Sequence, residues 1–532
     1  MTTVTMSHWP ARALTPLLAT TVGGVLRAAA WRAPDRVALI DPGRREWTFG
    51  ELRDEAERVA RGLLTRFEPG EPVAVWAGNG PDWVLLEFAA GLAGLTLVTV
   101  NPAYQAEELA HVLGHSGAAG VFLRTGTQAG ILAQVRDRLP RLREVLTLGD
   151  WPAGDGPLPE VDPASPAQIL YTSGTTGPPK AAVLTHRGLT NNARLAIAAI
   201  GIHAGETAVN PMPLFHIAGC GLLTLGLAQV TAHHVLMPQF TPGRQLELIE
   251  THRSGLLGGV PTMLAALLSH PTLARWDLSS LRCAVAGGAP VPPSLVRQVE
   301  ERFGIPFVIT FAQTESSCSI TVSRPGDTPG DRAETVGRPL PQTEVKIIDP
   351  RTGVTLAPGA TGEICTRGYL VMPGYLGDAE ATGAAIDAGG WLHTGDLGSM
   401  DERGYCRIQG RIKEMIIRGG ENIYPREIEA VLLSHPAVAE VAVVGVADRF
   451  WGEVVGAVIR ASAGTPPTEA ELSEFCRGQL AAYKIPARWL FTTSFPLTAT
   501  GKIRKDVLSA QLADVPGQAA SDRRVPAEAL HS

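Results

Sequence analysis

Residues 171–180 read YTSGTTGPPK, with a single lysine, Lys180, at the end. Four hydroxyl side chains stand among Gly174 and Gly177, those of Thr172, Ser173, Thr175 and Thr176. Glycines let backbone N–H groups turn toward a ligand, and hydroxyl groups add further hydrogen-bond donors. The preceding residues 168–171 read as a strand. Here a strand leads into a loop rich in hydrogen-bond donors that ends in a lysine. This pattern favours a polyphosphate-binding site over a Ser/Thr/Gly linker. The glycine-to-lysine spacing differs from that of a Walker A loop.

Outward from this loop, short β-branched runs alternate with amphipathic stretches. Residues 72–76 precede a helical pattern at 83–91, and residues 255–260 precede another at 261–269. Such alternation predicts α/β layers with mostly parallel strands.

The pattern changes from about Asp327, where glycine and proline separate short segments at 345–349, 362–367 and 405–409. These segments predict an antiparallel, β-rich subdomain. A new α/β pattern follows, with helices predicted at 425–434 and 468–480 and a strand at 438–446; Thr468 and Glu471 form a capping-box pair. We therefore expect a domain boundary near residues 410–413.

Composition excludes several classes of function. The chain has 532 residues, enough for two or more domains, with 45% hydrophobic and 18% charged residues, which disfavours long disorder. A net charge of −6 argues against nucleic-acid binding or an acidic membrane surface as bulk partners. The six cysteines form no CxxC pair, so a disulfide framework or structural zinc site is not expected and a reducing cytoplasm is favoured.

Targeting and membrane signals are also weak. Residues 1–16 lack a basic region followed by an apolar core, so no signal peptide is expected. The longest apolar stretch, 84–100, contains Glu87 and falls short of the ~20 apolar residues of a spanning helix. We predict a buried helix that leads into a buried strand.

The segment at 171–180 resembles the phosphate loop of the adenylate-forming (ANL) superfamily, which includes acyl-CoA synthetases, peptide-synthetase adenylation domains and beetle luciferases. Other segments similar to that family's motifs follow in the expected order, between about Val22 and Lys505. They are PLFHIAG (213–219), AGGAP (286–290), FAQTES (311–316), GWLHTGD (390–396), GRIK (410–413) and PLTATGK (496–502). The middle of the chain is most similar to fatty-acid and aryl-acid CoA ligases.

The resemblance implies a domain organisation. A large N-terminal AMP-binding domain of mixed α/β layers with a β-rich subdomain would occupy residues 1–410, and a hinge would follow at 411–413. A small mobile α+β lid domain that carries the catalytic lysine would occupy 414–511, before a flexible tail at 512–532.

The resemblance also implies an ATP site with Mg²⁺ held by Thr172 and Glu315. Phe311 would stack on adenine, and Lys180 would contact phosphate. Asp396 would accept the ribose hydroxyls, and Arg411 would add a donor on the same sugar or on a phosphate. The implied nucleotide-binding residues are Thr172, Ser173, Gly174, Thr175, Thr176, Gly177, Lys180, Gly288, Ala289, Pro290, Phe311, Ala312, Gln313, Thr314, Asp396, Arg411 and Lys502.

The resemblance implies an acyl pocket beside the adenylate, with His216 as a lining and catalytic candidate. The implied pocket residues are His216, Ile217, Gly221, Val260, Gly287 and Cys318. This chain departs from the family pattern at Ala312 and Ala181, which stand where glycine is usual. Ala312 is therefore expected to narrow the acyl pocket.

In such enzymes a carboxylate attacks the α-phosphorus of ATP, and Lys502 would neutralise the two anions. Rotation about Lys413 would then withdraw Lys502 and present Gly419, Gly420 and Glu421 to the thiol of CoA. The implied activity is ATP-dependent ligation of a carboxylic acid to CoA, with ATP, Mg²⁺ and CoA as cofactor or co-substrates.

Several alternatives stay open at this point. The nucleotide motifs would look the same in members that transfer the acyl group to a carrier-protein pantetheine, an amine or oxygen. They would also look the same in members that activate nitrite for diazotisation, and a non-catalytic nucleotide-binding homologue is a further alternative. The expected partners are a small carboxylic acid and CoA or a carrier protein, with a homodimer as a further expectation and no nucleic acid.

Overall fold

The structure is a computed structural model that describes residues 4–11, 15–124, 126–172, 179–462, 466–497 and 503–513. It divides into two compact units. The first comprises Met1–Thr394 and Gly398–Ile408, and the second comprises Gly395–Leu397 and Gln409–Ser532. The second unit thus takes in a short piece of the domain predicted at 1–410, and the exact hinge limits stay a prediction.

The strands are numbered in chain order. They are β1 His8–Trp9, β2 Val37–Asp41, β3 Arg45–Thr48, β4 Pro72–Trp76, β5 Thr96–Val100, β6 Gly120–Leu123, β7 Glu144–Thr147, β8 Pro166–Thr172, β9 Lys180–Thr185, β10 Thr207–Asn210, β11 His233–Leu236, β12 Leu256–Gly259, β13 Cys283–Gly287, β14 Phe307–Gln313, β15 Cys318–Val322, β16 Arg338–Pro339, β17 Thr343–Ile348, β18 Gly362–Gly368, β19 Gly374–Tyr375, β20 Leu392–Met400, β21 Cys406–Arg411, β22 Ile416–Arg418, β23 Glu421–Ile423, β24 Val438–Asp448, β25 Gly452–Ala461 and β26 Arg488–Phe491.

The α-helices follow the same order. They are α1 Val22–Arg32, α2 Phe49–Leu63, α3 Pro81–Ala93, α4 Ala106–Ser116, α5 Thr127–Ala133, α6 His186–Ile200, α7 Leu225–Gln229, α8 Pro242–His252, α9 Pro261–Leu268, α10 Pro293–Phe303, α11 Pro329–Glu334, α12 Ala379–Ala385, α13 Pro425–Leu433, α14 Glu469–Arg477 and α15 Lys505–Ala513.

Three sheets build the first unit. The first sheet has the order β19-β9-β8-β5-β4-β6-β7, with parallel pairing from β8 through β7. The second has the order β16-β15-β14-β13-β12-β10-β11-β2-β3 and is parallel from β14 to β2. The third, β1-β17-β18-β20-β21, contains antiparallel β1-β17-β18 pairing. The predicted parallel α/β layers and β-rich subdomain are therefore confirmed.

Local sequence explains the helix and strand that follow each other in the apolar stretch near residue 90. Pro81 begins α3, where its fixed φ suits the first helical turn, and Gly94 ends it in the left-handed region at φ 71°. Every residue of β5 is buried. The predicted buried helix followed by a buried strand is confirmed, and the described residues contain no helix long and apolar enough to cross a membrane.

The second unit is a sheet in which β25 pairs with β22, β24 and β26. Alternation along β24 sends Val441 and Val443 into a core with α13 and α14, and Ala442 and Val444 into a core with α15. The strand therefore reads as a nearly continuous apolar run because both of its faces are covered.

Most predicted boundaries in the second unit lie close to the observed ones. The capping box of Thr468 and Glu471 is confirmed, but α14 ends at Arg477, three residues before the predicted end. The predicted tail at 512–532 begins too early, because Leu512 is fully buried and α15 runs to Ala513. The rest of that tail lies outside the described residues.

Candidate active site

Four predicted segments lie at one edge of the second sheet. His216 follows β10, and Val260 follows β12. Gly287 ends β13 and residues 288–290 follow it, while residues 311–313 end β14 and Thr314 follows. These strands are parallel and adjacent, so their carboxyl ends meet at the same edge. The carboxyl edge of a parallel sheet is where α/β proteins most often bind ligands.

The first sheet contributes to the same place through two polar side chains. The Thr99 hydroxyl of β5 donates to the carbonyl of Phe215 at 2.9 Å. Asn79, which follows β4, donates to the carbonyl of Met212 at 3.0 Å and accepts from the Leu214 N–H at 2.8 Å. The segment that carries His216 is therefore fixed by both parallel sheets.

His216 precedes a π-helical turn, Ala218–Thr224, a rare geometry that occurs often at functional sites. The Nδ1 atom of His216 accepts from the Ala218 N–H at 3.2 Å. Ile217 and Cys318, two predicted pocket residues, are each 2% exposed and belong to the same core cluster. The structure thus brings His216, Ile217 and Cys318 into one region, although the last two present little surface.

Two predicted pocket glycines are explained by close packing. A Cβ on Gly221 would lie 2.6 Å from Cδ1 of Ile217, and a Cβ on Gly287 would lie 2.6 Å from the Thr310 carbonyl oxygen. Gly288 differs, because its φ is 76° and a Cβ there would meet no described atom within 4 Å. In the segment 287–290, Gly288 is therefore the position that leaves room for a ligand. Ala289 and Pro290 follow it.

The residues that end β14 are held by the surrounding backbone. Ala312 is partly buried against a core cluster, and a register irregularity in the pairing of β14 with β15 lies between Phe311 and Ala312. The side-chain amide of Gln313 donates to the carbonyl of Thr394 at 2.8 Å. Thr314 begins a 3₁₀ turn, Thr314–Ser316, that carries Glu315. The effect of Ala312 on the width of the acyl pocket stays a prediction.

Glu315 sits on a turn with unusual backbone geometry. The two residues after the turn, Ser317 and Cys318, have φ of 54° and 109°, values uncommon for residues other than glycine. The Ser317 hydroxyl holds this conformation by donating to the carbonyl of Leu370 at 2.7 Å. Strained backbone of this kind persists only where surrounding contacts fix it, so Glu315 has a defined position.

A tyrosine that the sequence motifs do not identify contacts Glu315. The Tyr375 hydroxyl donates to Oε1 of Glu315 at 2.8 Å. Burial, and then the charge of Glu315, raise the pKa of Tyr375, so the phenol stays protonated and remains a donor. The backbone of Tyr375 pairs with Ala182 of β9, and Nζ of Lys180 lies 5.0 Å from the Tyr375 ring centroid.

These contacts place Glu315 beside the hairpin that begins and ends the phosphate loop. Thr172, the last residue of β8, pairs directly with Lys180, the first residue of β9. The Thr172 hydroxyl donates to the carbonyl of Lys180 at 3.3 Å, which leaves its oxygen lone pairs as acceptors. A carboxylate and a hydroxyl are the oxygen ligands that Mg²⁺ prefers, so these residues fit that cation.

Some predicted residues lie outside the part of the chain that the structure describes. They are Ser173, Gly174, Thr175, Thr176 and Gly177 of the phosphate loop and the catalytic candidate Lys502. Their roles stay predictions.

In the second unit, Asp396 and Arg411 form the predicted pair. Nε of Arg411 lies 3.0 Å from Oδ1 of Asp396, whose side chain is 6% exposed. Gly395 has φ of 67°, and a Cβ there would meet no described atom within 4 Å. A carboxylate fixed by a guanidinium beside an open glycine is suited to accept hydroxyl groups of a sugar. Lys413, the predicted hinge, lies in the short 3₁₀ turn Ile412–Glu414.

Gly419 and Gly420 form the two-residue turn between β22 and β23, where Arg418 pairs with Glu421. Their φ values of 60° and 93° explain why glycine stands at both positions. A Cβ on Gly419 would lie 2.8 Å from the Trp451 ring, whereas a Cβ on Gly420 would meet no described atom within 4 Å. Space for a slender ligand therefore lies beside Gly420.

Exposed aromatic rings surround this turn, and sequence reasoning missed them. Phe450 is 74% exposed and stacks edge-to-face on Trp451, with ring centroids 4.9 Å apart. The guanidinium of Arg418 lies 5.3 Å from the Trp451 ring centroid. Exposed rings beside an arginine form a platform for a flat, anionic ligand, and the adjacent Phe-Trp pair at 450–451 was the available sequence signal.

A lysine three residues after Lys502 forms an ion-pair triad within the second unit. Nζ of Lys505 lies 2.8 Å from Oε1 of Glu429 and 3.2 Å from Oε2 of Glu414. Burial lowers the pKa of Lys505, but the two carboxylates outweigh it and raise the pKa above its usual value. The triad fixes the start of α15 to α13 and to the turn that contains Lys413.

Comparison with known proteins agrees with this arrangement. Residues 26–376 match the family model described as AMP-binding enzyme, and residues 427–502 match that of the AMP-binding enzyme C-terminal domain. YngI of Bacillus subtilis, which carries a provisional acyl-CoA synthetase name, is 39% identical over 529 residues, covering 92% of this chain and 96% of YngI. The mitochondrial medium-chain acyl-CoA ligase ACSF2 of Macaca fascicularis is 37% identical, covering 93% of this chain and 88% of ACSF2.

Solved structures give the same result. ATP-bound MatB from Rhodopseudomonas palustris has a TM-score of 0.86 at 28% identity, covering 93% of this chain and 99% of MatB. The predicted large N-terminal domain and smaller C-terminal domain are thereby confirmed as a fold class. With both family models matched in order across most of its length, the chain belongs to the AMP-binding enzyme family, within the adenylate-forming superfamily that contains the acyl-CoA synthetases.

Proposed function

We propose that the protein is an ATP-dependent acyl-CoA ligase. It adenylates a carboxylic acid to acyl-AMP with release of pyrophosphate, and then transfers the acyl group to CoA. The observation that carries the proposal is the contact chain from Glu315 through Tyr375 to Lys180, because it joins a cation-binding carboxylate to the base of a phosphate loop. The acyl-CoA synthetase names of the relatives support the same activity.

The adenylation step needs positive charge around the phosphates and the carboxylate. A carboxylate is a poor electrophile because its leaving group would be oxide, so it must first become a mixed anhydride. Its oxygen attacks the α-phosphorus of ATP, the bond to the β-phosphate oxygen breaks, and pyrophosphate leaves. Two anions approach each other in this step, so preorganised positive charge and N–H donors lower the barrier.

The residues of the chain have separate roles in this step. Glu315 and Thr172 would hold Mg²⁺, which supplies charge neutralisation on the phosphates when bound. Lys180 would contact the leaving phosphates, and Asp396 with Arg411 would hold the ribose. Lys502 would bridge the carboxylate and the α-phosphate, and loss of one such contact typically lowers the rate about 10²–10³-fold.

The second step needs a different set of contacts. Rotation about Lys413 would withdraw Lys502 and admit the pantetheine arm of CoA beside Gly420, where the structure has open space. The exposed rings of Phe450 and Trp451 would then contact the nucleotide end of CoA. The thiolate attacks the acyl carbon, the bond to AMP breaks, and the products are the thioester and AMP.

We infer the substrate class from the predicted pocket residues. Ile217, Cys318 and Val260 carry no charge, which favours an aliphatic or aromatic acid tail over a second carboxylate. Relatives include a medium-chain acyl-CoA ligase and an anthranilate CoA ligase solved with anthranoyl-AMP, at 27% identity and TM-score 0.85. A cytoplasmic location and a homodimer stay predictions from the sequence.

An acid panel tests the proposal. Purified protein with ATP and Mg²⁺ is mixed with fatty and aryl acids, with and without CoA, and pyrophosphate and acyl products are measured. We expect acid-dependent pyrophosphate release and acyl-CoA that forms only when CoA is present. ATP binding without release for every acid would instead support a non-catalytic homologue.

The acceptor is tested in the same mixture by competition among CoA, a phosphopantetheinylated carrier protein and small amines. Mass spectrometry identifies the acylated product. Acylation of CoA in preference to the other two supports the ligase assignment, and preferential acylation of the carrier protein or an amine contradicts it.

A further inference from the structure

Three side chains that could bind a metal, none of them assigned to nucleotide or CoA binding, meet in the third sheet of the first unit; His393 belongs to the segment 390–396 that also carries Asp396. Glu363 and Cys365 are two residues apart on β18 and therefore share one face of the strand, and His393 lies on the neighbouring strand β20. Nδ1 of His393 lies 2.9 Å from Oε2 of Glu363 and 3.7 Å from Sγ of Cys365. One ligand atom from each residue falls within 4.8 Å of the other two.

Two of the three side chains are buried. Cys365 is fully buried and packs with Ile348 and Trp391, Glu363 is 6% exposed, and the side chain of His393 is 29% exposed. A buried thiol and carboxylate beside an imidazole are uncommon, because buried polar groups lose their hydration. This cluster is distinct from Glu315 and Thr172, which offer only oxygen atoms.

We propose that Glu363, Cys365 and His393 supply three ligands to one thiophilic divalent cation of the Zn²⁺ class, with water in the fourth position. Zinc binds thiolate sulfur at about 2.3 Å, imidazole nitrogen at about 2.0–2.1 Å and carboxylate oxygen at about 2.0–2.2 Å in tetrahedral geometry. Ligand atoms around such an ion are roughly 3.3–3.8 Å apart. The observed pair distances of 2.9 and 3.7 Å need only a few tenths of an ångström of adjustment.

Charge and proton balance agree with this ligand set. The thiol of Cys365 loses its proton to solvent as its sulfur binds the ion, and the carboxylate of Glu363 supplies the second negative charge. One thiolate and one carboxylate balance the Zn²⁺ charge, which reduces the cost of placing it in a largely buried site. Lys346, which pairs with Cys365 between β17 and β18, adds a further positive charge nearby.

A second carboxylate lies near the other ring nitrogen of the histidine. Oδ2 of Asp387 lies 3.7 Å from Nε2 of His393, on the ring nitrogen that faces away from the cluster. Metal binding at Nδ1 puts the ring proton on Nε2, where Asp387 can accept it after a small closure. Carboxylate–histidine–metal arrangements of this kind fix the tautomer in known zinc sites. Asp387 itself is held by the backbone N–H groups of Gly389 and Trp391, at 2.8 and 2.9 Å.

The ligand chemistry also separates this site from the Mg²⁺ of the adenylation step. Mg²⁺ prefers oxygen ligands and near-octahedral geometry, whereas thiolate and imidazole select Zn²⁺ and Co²⁺. We therefore expect the two cations to bind independently, and failure of the zinc site would leave the ligase proposal unaffected.

The test uses the full chain, stripped of metal and titrated with Co²⁺ and then Zn²⁺. We expect one Co²⁺ per chain with a near-ultraviolet thiolate-to-cobalt absorption band, displaced by an equimolar amount of Zn²⁺ and unaffected by excess Mg²⁺. Zn²⁺ should also raise the apparent unfolding temperature by several degrees, because it binds only the folded chain. Absence of the band in the wild-type protein overturns the proposal.

Two substitutions assign the band. Cys365→Ser should abolish it, while the matched control Cys406→Ser, another fully buried cysteine in the same sheet, should retain it. His393→Gln keeps Cys365 in place and should weaken or abolish the absorption band. This variant provides the test if Cys365→Ser does not fold. A full band in Cys365→Ser, or in His393→Gln, contradicts the proposed ligand set.

Discussion

At the scale of single residues, one hydroxyl group connects the proposed metal carboxylate to the phosphate-loop hairpin. Tyr375 donates to Glu315 through its side chain and pairs with Ala182 through its backbone. The sequence motifs identified Glu315 but not Tyr375, because Tyr375 lies 60 positions further along the chain. Its role depends on a pairing of β19 with β9 that no local pattern encodes.

Tyr375→Phe should therefore impair adenylation more than it impairs folding. A hydrogen bond to a charged group contributes about 1.5–3 kcal/mol, so we expect kcat/KM for MgATP in acid-dependent pyrophosphate exchange to fall about tenfold to a hundredfold. The Mg²⁺ concentration for half-maximal rate should rise, because the Glu315 carboxylate loses its orientation.

Tyr405→Phe is the matched control. Its hydroxyl also donates to a carboxylate, Oδ1 of Asp327 at 2.7 Å, and Asp327 is not among the proposed site residues. Equal losses of exchange in the two variants would show that the effect of Tyr375→Phe is general destabilisation.

His186 should make stability depend on pH. Its Nδ1 accepts from the Val22 N–H at 3.2 Å, at the start of α1, and burial lowers the pKa of His186 to about 4 from its usual 6.5. The unfolded chain therefore binds a proton below pH 6.5 that the folded chain does not bind until about pH 4. The contribution of His186 is complete above pH 6.5 and falls by about 2 kcal/mol on going to pH 5.

Urea unfolding at pH 7.5 and pH 5 measures this effect. In His186→Gln, whose amide oxygen can still accept from Val22, the acid-induced decrease in unfolding free energy should be smaller than in the wild type. The exposed His203→Gln should behave as the wild type does. An unchanged decrease in His186→Gln would disprove the assignment to this histidine.

At the scale of elements, the sequence predicted the limits of those helices and strands whose ends are marked by nearby residues. β4 was predicted with its observed limits, and α13 and β24 within two residues, because proline, capping residues and apolar runs mark them directly. The end of α14 was missed, since Gly478 continues in a right-handed helical conformation and the sequence offers no sharper stop. The Lys505 triad was also missed, because its members come from three separate elements.

Lys505→Met should affect the first half-reaction more than the second. The substitution leaves Glu429 and Glu414 without their shared cation and loosens the start of α15, close in sequence to Lys502. We expect about 2 kcal/mol of destabilisation of the second unit, less than the ~3–5 kcal/mol of a fully buried pair, because a quarter of the Lys505 side chain is exposed.

Pyrophosphate exchange should then fall at least about tenfold, whereas thioester formation from supplied acyl-AMP and CoA should change little. Lys505→Arg should recover part of the exchange activity. Arg460→Met, which breaks a half-exposed ion pair with Glu440 in the same unit, is the control. A merely structural role for Lys505 would lower both half-reactions together.

At the scale of the whole molecule, the sequence predicted the fold class because an ordered set of motifs covers nearly the whole chain. The sequence could not predict which side chains meet between separate elements. Glu87 of α3 is an example: it argued against a membrane span, yet it is buried in the core and accepts from Gln168 of β8 at 2.7 Å. Burial raises the pKa of Glu87 well above its usual range, which lets the core accept this carboxyl in its neutral form.

In the candidate site, too, the sequence predicted individual residues but not the contacts between them. Asp396 and Arg411 were predicted from separate motifs, and the structure joins them at 3.0 Å. The proposed metal-binding cluster of Glu363, Cys365 and His393 was not predicted, although His393 lies in the segment 390–396, because its two strands are brought together only by the third sheet. Sequence patterns therefore do not predict residues that come together only because distant strands pair.

The central claim is that one enzyme performs two half-reactions and that Lys502 serves only the first. The most direct measurement assays both half-reactions in Lys502→Ala, with an acid that the wild-type protein accepts. We predict that acid-dependent pyrophosphate exchange is lost by about 10²–10³-fold or more, while supplied acyl-AMP is still converted to acyl-CoA. Intact exchange in Lys502→Ala would contradict the account.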